Sequence, residues 1–373
     1  MFLGWKEMQR SKLRYFMIGF IIVLIAWLVF ILSGLGNGLS TLSAASVKNM
    51  NADYVVYQKG AGATFSKSLL SESLAQDIKK QDNVKDVAAF GAAMGAISKE
   101  KMDNSADKTD IALLGIEPGS FLEPKIVEGV ALDASIKNGV LANKTLKDKG
   151  YKLGDTVVAS GSKESFKIIG FVENQTYNHL PALFATMEEW RTYQFAAPGA
   201  NNGIKDVVNA IVVQGTKVDA ANIDKQISGI ETATKAKAVQ GMPGYKEENG
   251  TITMMLAFLV VISAFVIAVF FYVLTLQKSN QFGVMKAIGA SNRFLVRTIV
   301  SQVFVLSFIS IAIGVILTYL TALIFPKEMP FSLDAKMVFI YSLVLLLISV
   351  VSSLVSVRRV TKIDPLTALG RVE

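Results

Sequence analysis

Four apolar stretches divide this sequence, and the long polar segment 37–250 separates the first stretch from the other three. The stretches comprise residues 15–36, 251–276, 298–325 and 337–357, and none contains an acidic residue, a lysine or an arginine. About 20 helical residues at a rise of about 1.5 Å each cross the roughly 30 Å hydrocarbon core of a bilayer. The sequence therefore predicts four transmembrane α-helices.

The first stretch has a competing interpretation as a cleaved signal peptide, because it follows basic residues and precedes small residues at 43–46. The apolar core of a signal peptide has about 7–15 residues. Stretch 15–36 is longer, which favours a retained helix. Residues 1–14 combine Trp5 with four Lys or Arg residues, a mixture typical of a helix in the membrane interface. We predict a cytoplasmic interfacial helix there.

The positive charge of the chain lies beside the predicted spans. Of the formal net charge of +8, the segments 1–16, 277–297 and 357–373 contribute 12 Lys and Arg against 3 Asp and Glu. Cytoplasmic flanks of membrane helices are enriched in Lys and Arg. We therefore expect a protein of the cell membrane with cytoplasmic N- and C-termini, a cytoplasmic segment 277–297, a cytoplasmic tail 358–373 and an extracellular loop 326–336. The charge predicts contact with membrane lipids and no nucleic-acid partner.

Segment 37–250 alternates between strand and helix patterns. Runs rich in β-branched and aromatic residues predict strands, and 222–239 is predicted as one continuous helix. Because both ends of the segment adjoin spans on the same side, it forms a domain outside the cell. The predicted fold class is a membrane protein with four transmembrane α-helices and an α+β extracellular domain inserted between helices 1 and 2.

Several kinds of chemistry are excluded by residues that the sequence lacks. It contains no cysteine and one histidine, so thiol catalysis and multi-histidine metal sites are excluded. No Gly-x-x-x-x-Gly-Lys-Ser/Thr run is present to bind ATP phosphates. Charged residues inside spans mark ion-driven carriers, and these spans have none. We expect a protein that is not an enzyme and has no intrinsic cofactor.

Segment 277–297 contains a short predicted helix between two spans. Phe282, Met285 and Ile288 recur every three residues and are interpreted as one apolar stripe, and Gly289 provides a helix stop. Ser291 or Asn292 is expected to cap the next helix. Periodicity alone leaves two interpretations open, because such a helix either lies in the lipid interface or docks into a soluble partner.

The run FGVMKAIGAS at 282–291 resembles the cytoplasmic coupling segment of the MacB and FtsX type of ABC transporter permease. The matching positions are Gly283, Lys286, Ala287, Gly289, Ala290 and Ser291, whereas Gln281 stands where many members have glutamate. A turn at 152–157 and the tail 358–373 are also similar to family segments, and the order of spans agrees over the whole chain.

The resemblance implies a homodimer that works with two copies of a separate ABC ATPase, which hydrolyses the ATP. Its motion would reach the extracellular domain through the spans. The implied ATPase-coupling residues are Phe282, Gly283, Met285, Lys286, Ala287, Ile288 and Gly289.

The sequence of the same run is most similar to the family branch that includes hemin exporters, and this resemblance implies hemin as a substrate. Tyr177, His179 and Met187 have side chains of the types that ligate haem iron in a cysteine-free protein. The alternative is that these residues are core and turn residues of the extracellular domain. Asn37 is a second candidate for substrate contact, with lipid headgroups as the alternative partner. Two other functions stay open: export of an antimicrobial peptide or lipid, and transmission of ATPase motion, without transport, to an extracellular partner such as a cell-wall hydrolase.

Overall fold

A computed structural model describes residues 12–99, 108–160, 164–197, 199–326 and 329–361, with side chains as far as 357. The chain forms two compact units. The sheet-rich unit comprises the described part of 39–249. The membrane unit comprises the described parts of 1–38 and 250–373. Most of the predicted interfacial helix 1–14, part of loop 326–336 and almost all of tail 358–373 lie outside the described residues.

The helices of the described chain are α1 Lys12–Lys48, α2 Leu74–Lys79, α3 Thr145–Asp148, α4 Met187–Gln194, α5 Ala220–Gln226, α6 Lys235–Gln240, α7 Tyr245–Gln277, α8 Ser279–Ala287, α9 Asn292–Ile324 and α10 Ala335–Thr361. The strands are β1 Tyr54–Gln58, β2 Leu70–Ser71, β3 Asp86–Lys99, β4 Thr109–Ile116, β5 Ile126–Gly129, β6 Gly139–Asn143, β7 Thr156–Ala159, β8 Ser165–Val172, β9 Thr176–Tyr177, β10 Leu180–Thr186, β11 Val207–Val208, β12 Ala210–Gln214 and β13 Ile230–Thr234.

Helices α1, α7, α9 and α10 are long and apolar enough to cross a membrane. The predicted fold class of four apolar helices around an inserted α+β domain is confirmed. All four helices extend beyond the predicted spans, because α1 continues to Lys48, α7 begins at Tyr245, α9 begins at Asn292 and α10 covers Ala335–Thr361. Hydropathy marks only the lipid-crossing part of a helix, and the added turns of α1 and α7 belong to the sheet-rich unit.

One mixed sheet organises the sheet-rich unit. Its strand order is β13-β1-β12-β3-β4-β10-β6-β8-β5, with β7 paired to β3 and β8, and β9 paired to β10. Strand β10 runs parallel to β4 and β6 runs parallel to β8, and the other pairs are antiparallel. A separate two-stranded sheet joins β2 to β11.

The core of the sheet-rich unit consists of two hydrophobic clusters, one on each face of the sheet. Successive residues of a strand point to opposite faces, and β10 follows this rule: Phe184 lies in the first cluster and Leu183 in the second. Strand β12 is buried along its whole length. The first cluster contains Phe65 and Phe90, and the second contains Trp190.

The prediction of one helix over 222–239 is wrong. The segment contains the end of α5, then strand β13, then α6. Helix α5 ends at Gln226, because Ile227 takes an extended conformation (φ −111°, ψ 113°), and Gly229 with a positive φ of 82° then precedes the strand. Residues 230–234 instead pair with β1 as an edge strand, in which Ile230 is buried in the second core cluster and Ala233 in the first. The β-branched residues of β13 favour this pairing.

Candidate functional site

The predicted coupling segment forms helix α8 between the membrane helices α7 and α9. It ends as the sequence predicts, because Gly289 has a φ of 98° and no atom lies within 4 Å of a methyl group placed on it. Of the two residues predicted to cap α9, Ser291 is the N-cap, because its hydroxyl accepts a hydrogen bond from the Phe294 amide at 3.2 Å. Segment 277–297 therefore consists of a helix, a glycine turn and a capped helix start.

The structure contradicts the single apolar stripe of Phe282, Met285 and Ile288. Phe282 is 3% exposed and packs in a cluster with Phe271 and Leu295, whereas Ile288 is 81% exposed. An α-helix turns by about 100° per residue, so two steps of three residues separate Phe282 and Ile288 by about 120°. The two side chains consequently lie on different faces.

The exposed face of α8 is defined by Gln281, Val284, Ala287 and Ile288, and we call it the outward face. Of the other residues predicted to couple to an ATPase, Gly283 is buried, Met285 and Lys286 are half-buried, and Gly289 is exposed. Met285 packs against the same cluster as Phe282. Within the described residues, Val284 and Ile288 are therefore the apolar side chains that α8 offers to a partner.

Lys278, which contributes to the positive charge of the predicted cytoplasmic segment 277–297, is only 3% exposed. Its ammonium donates to the Tyr15 hydroxyl on α1, and Gln302 Oε1 on α9 lies 3.4 Å away. The Tyr15 hydroxyl in turn donates to Gln302 Oε1 at 3.0 Å. This buried polar network joins the start of α8 to two membrane helices. The only signals for it in the sequence are a tyrosine and a glutamine at the ends of apolar runs.

Asn37, predicted as a candidate for substrate contact, binds a loop of the protein. Its side-chain amide donates to the Ser332 carbonyl oxygen at 3.1 Å, and the Ser332 amide donates to the Gly34 carbonyl oxygen at 3.0 Å. A methyl group on Gly38 would lie 2.1 Å from the Pro330 carbonyl oxygen. Gly34 and Gly38 of α1 therefore form a contact surface for residues 330–332.

The structure does not bring together the candidate haem ligands Tyr177, His179 and Met187. Tyr177 is 4% exposed in the first core cluster, and Met187 is 5% exposed in the second, on the other face of the sheet. Burial raises the pKa of the Tyr177 phenol above its ordinary value of 10.0. Tyr177 and Met187 are thus core residues here, and His179 alone among the three has a partly exposed side chain.

His179 belongs to a polar cluster within the sheet-rich unit. Its Nε2 atom lies 2.9 Å from Glu248 Oε1 on α7 and 3.1 Å from Ser43 Oγ on α1. Both contacts fall on the same ring nitrogen, so the cluster lacks the two-sided histidine of a Ser-His-Glu triad. Among the described residues, no group of three or more His, Cys, Asp or Glu is placed to hold a metal ion.

The turn between β9 and β10 supplies backbone partners for the same part of α1. Ala44 has φ −144° and ψ 18°, which interrupts the helix. The Asn178 amide donates to the Ser43 carbonyl oxygen at 2.8 Å, and the His179 amide donates to that of Leu42 at 3.1 Å. An interrupted helix leaves carbonyl groups without their usual donors. The β9–β10 turn satisfies two of them.

Comparison with known proteins assigns a family to each part of the chain. Residues 16–230 match the MacB-like periplasmic core domain, and residues 253–365 match the FtsX-like permease C-terminal region. The chain is 29% identical over 370 residues to HrtB of Staphylococcus epidermidis, a permease protein named for a hemin transport system, covering 99% of both chains. HrtB of Staphylococcus haemolyticus is 27% identical over 375 residues, covering 100% of this chain and 99% of the relative.

Among solved structures, the periplasmic region of MacB from Actinobacillus actinomycetemcomitans aligns with a TM-score of 0.37 and 14% identity, covering 51% of this chain and 92% of that one.

Proposed function

The chain belongs to the MacB/FtsX-like family of ABC transporter permeases, and we propose that it is the membrane subunit of an ATP-driven efflux system for hemin or a similar amphipathic molecule. The observation that carries this proposal is the full-length similarity to relatives named for hemin transport. We propose further that the protein acts as a homodimer with two copies of the ATPase, and that both termini lie in the cytoplasm.

The outward face of α8 is the proposed contact with the ATPase. We propose a separate ATPase, and this is supported by the absence of a phosphate-binding glycine loop from the sequence. Val284 and Ile288 give α8 an exposed apolar edge, which is the kind of surface that docks a helix into a partner groove. The absence of a glutamate at Gln281 means that this contact lacks the carboxylate found in many relatives.

The buried network of Lys278, Tyr15 and Gln302 is proposed to transmit movement of α8 to the membrane helices. It ties the start of α8 to α1 and α9 through side chains, in addition to the direct chain connection to α7. Helices α1 and α7 have 37 and 33 residues, or about 55 and 50 Å at 1.5 Å per residue. Both exceed the roughly 30 Å hydrocarbon core and continue into the sheet-rich unit.

Within the described part of the chain the predicted haem ligands do not form one site, so the cargo assignment rests on the relatives. His179 is the one predicted ligand that remains accessible, and its Nε2 would have to leave Glu248 to bind iron. A lateral route from the bilayer suits an amphipathic cargo, because it needs no aqueous channel.

The proposal is tested by purifying the permease with its ABC ATPase, reconstituting the complex in nanodiscs and measuring ATP hydrolysis during hemin titration. We expect saturable stimulation by hemin and weaker stimulation by iron-free protoporphyrin IX. Stimulation by an antimicrobial peptide or lysolipid, with none by hemin, would replace the cargo and retain the permease.

The coupling surface is tested in the same assay. Ile288→Asp places a charge on the outward face, and burying that charge against a partner costs several kcal/mol. We expect the variant to insert normally and to lose ATPase stimulation, whereas Ile288→Leu keeps it. Normal stimulation and co-purification of Ile288→Asp would show that α8 docks elsewhere.

A further inference from the structure

A cavity of about 470 Å³ lies within the sheet-rich unit. Its apolar wall is formed by Phe90 on β3, Phe184 on β10 and Leu122 after β4, which are all buried in the first core cluster. Ser46 on α1, together with Asn49 just beyond the end of that helix, forms part of another wall. Small-molecule sites have volumes of about 300–1,000 Å³ and combine an apolar lining with a few polar groups. The cavity has both properties.

Two polar side chains in the cavity wall lack hydrogen-bond partners. Ser46 is 3% exposed, and its hydroxyl has no partner within the described chain. Gln175 is 8% exposed, and no hydrogen bond of its side-chain amide is found among the described residues. Buried polar groups are normally bonded to protein, water or ligand. These two groups provide a donor and acceptors for a bound molecule.

The cavity lining carries charges of both signs, from one lysine and two glutamates. Lys125 is exposed at its edge and forms no ion pair among the described residues. Glu123, which also lines the cavity, accepts hydrogen bonds from the Gly119 and Leu132 amides at 2.9 Å each. Glu173 is paired with Lys144 at 2.5 Å. The charge of Glu173 is thus balanced by Lys144, whereas Glu123 keeps its negative charge with both oxygens bonded to backbone amides. Lys125 is the lining cation that is available to an anionic group.

We propose that this cavity binds an amphipathic organic anion, whose apolar body lies on Phe90 and Phe184 and whose carboxylate or phosphate lies at Lys125. Ser46 and Gln175 would bond to polar atoms of the same molecule. The carboxylate class includes fatty acids and porphyrins, and the phosphate class includes lysophospholipids. This site does not depend on which cargo the permease exports. An experiment that disproves hemin export would therefore leave the proposal of this binding site standing, and the reverse also holds.

Binding at this site would act directly on a membrane-crossing helix. Ser46 lies in the last turn of α1, and the same helix begins at Lys12 in the membrane unit. A ligand that bonds to Ser46 contacts α1 two residues beyond its interruption at Ala44. The cavity is thus suited to sensing an amphipath in the sheet-rich unit.

The test uses the absence of cysteine from the full chain, because an introduced cysteine is then unique. Ser46→Cys places a thiol in the cavity wall, and Thr192→Cys places a control thiol on the exposed side of α4, which packs on the other face of the sheet. Each full-length variant is reconstituted in phosphatidylcholine nanodiscs, and the rate of N-ethylmaleimide modification is followed by intact-mass spectrometry. The probes are dodecanoate, lysophosphatidic acid and protoporphyrin IX, with dodecanol as the uncharged match to dodecanoate.

We expect at least one anionic probe to slow modification of Ser46→Cys saturably by about tenfold or more while leaving Thr192→Cys unchanged. Adding Lys125→Gln should raise the half-protecting concentration about fivefold. Protection by one probe alone identifies carboxylate or phosphate as the preferred group. If Ser46→Cys does not fold, Asn51→Cys reports on the same cavity.

Three results would overturn the proposal. Unchanged modification with every anion would mean that the cavity holds only water. Equal protection by dodecanol and dodecanoate, with no effect of Lys125→Gln, would exclude an anion site. Equal protection of the Thr192→Cys control would show that the probes act through the bilayer or by unfolding.

Discussion

In the sheet-rich unit the largest shielded side chains are aromatic, such as Trp190 and Phe171, whereas in the membrane unit many of the shielded side chains are small or polar, such as Ser310 and Gln302. The exposed side chains show the reverse pattern. Phe265 and Leu323 in the membrane unit are 73% and 82% exposed. Lipid tails are as apolar as leucine, so apolar burial gives membrane helices little drive to associate.

This difference indicates how each unit is held together. The sheet-rich unit depends on burying apolar area from water, which contributes about 25 cal/mol per Å². The membrane unit depends on close backbone approach and on polar contacts between helices. Gly314 illustrates this, because a methyl group placed on it would lie 2.8 Å from the Ala26 methyl carbon. The same substitution should therefore have different effects in the two units.

Replacing a phenylalanine by alanine is expected to give the largest difference in stability loss between the two units. Phe171 on β8 is fully buried, and Phe171→Ala should cost about 3–5 kcal/mol through lost burial and a cavity. Phe265→Ala makes the same chemical change on an exposed face of α7 and should leave stability nearly unchanged. Thermal unfolding of the purified proteins in detergent measures both. Equal losses would mean that the exposed face of α7 is itself buried, as at a dimer contact.

The next largest loss of stability is expected in the membrane unit, from removal of the Tyr15 hydroxyl. Tyr15→Phe removes both the acceptor for Lys278 and a donor to Gln302, and a hydrogen bond to a charged group contributes about 1.5–3 kcal/mol. The control is Tyr319→Phe, whose tyrosine is 49% exposed on α9. We expect a lower midpoint of thermal unfolding and weaker ATPase stimulation for Tyr15→Phe alone. Identical unfolding midpoints and identical ATPase stimulation of the two variants would show that the network does not transmit movement of α8.

The positions of the membrane helices could be predicted from sequence, but their contacting faces could not. Hydropathy locates a span because lipid requires a continuous apolar run. The same runs place apolar residues all around each helix, so they do not indicate which side meets another helix. Phe282 and Ile288 show the consequence: both are apolar in a short helix, and only the packing against Phe271 and Leu295 determines that Phe282 turns inward.

In the sheet-rich unit the elements were mostly predictable, but long-range contacts were not. Strand-forming composition predicted the segments that form β1, β3, β4 and β12, whereas residues 230–234 were assigned to a helix because pairing with β1 is a tertiary interaction. The Ser43, His179 and Glu248 cluster joins residues 136 and 69 positions apart. No local pattern brings these residues together. The burial of Lys278 was not predictable for the same reason, because its partners lie on other helices.

Glycine substitutions provide a finer comparison within the membrane unit. Gly38→Ala would place a methyl group 2.1 Å from the Pro330 carbonyl oxygen, and such overpacking costs about 1–3 kcal/mol. Gly250→Ala in α7 meets no atom within 4 Å and should stabilise the helix by about 0.5–1 kcal/mol. Opposite shifts in the unfolding midpoint are expected. A tolerated Gly38→Ala would show that residues 330–332 move away from α1.

The smallest expected effect is a pH-dependent change in stability that comes from a surface carboxylate of the sheet-rich unit. Asp206 accepts hydrogen bonds from the Ser71 hydroxyl at 2.6 Å and the Ser73 amide at 2.9 Å. The Ser71 bond is the main reason that the pKa of Asp206 lies below its ordinary value of 3.8. A lowered folded-state pKa stabilises the protein above the unfolded value, and this contribution is lost as the pH falls through the folded pKa.

Asp206→Asn should therefore lower stability at pH 7 by a few tenths of a kcal/mol, because solvent screens the exposed carboxylate. The difference from the native protein should shrink as the pH falls below about 3.8. Asp82→Asn is the matched control, since Asp82 is exposed and forms no hydrogen bond among the described residues. Unfolding midpoints measured from pH 7 downwards provide the test. If the stability difference between the two proteins does not change with pH, the charge of Asp206 is not its cause. The effect would then come from the geometry of the two hydrogen bonds that the carboxylate accepts, which asparagine does not reproduce at any pH.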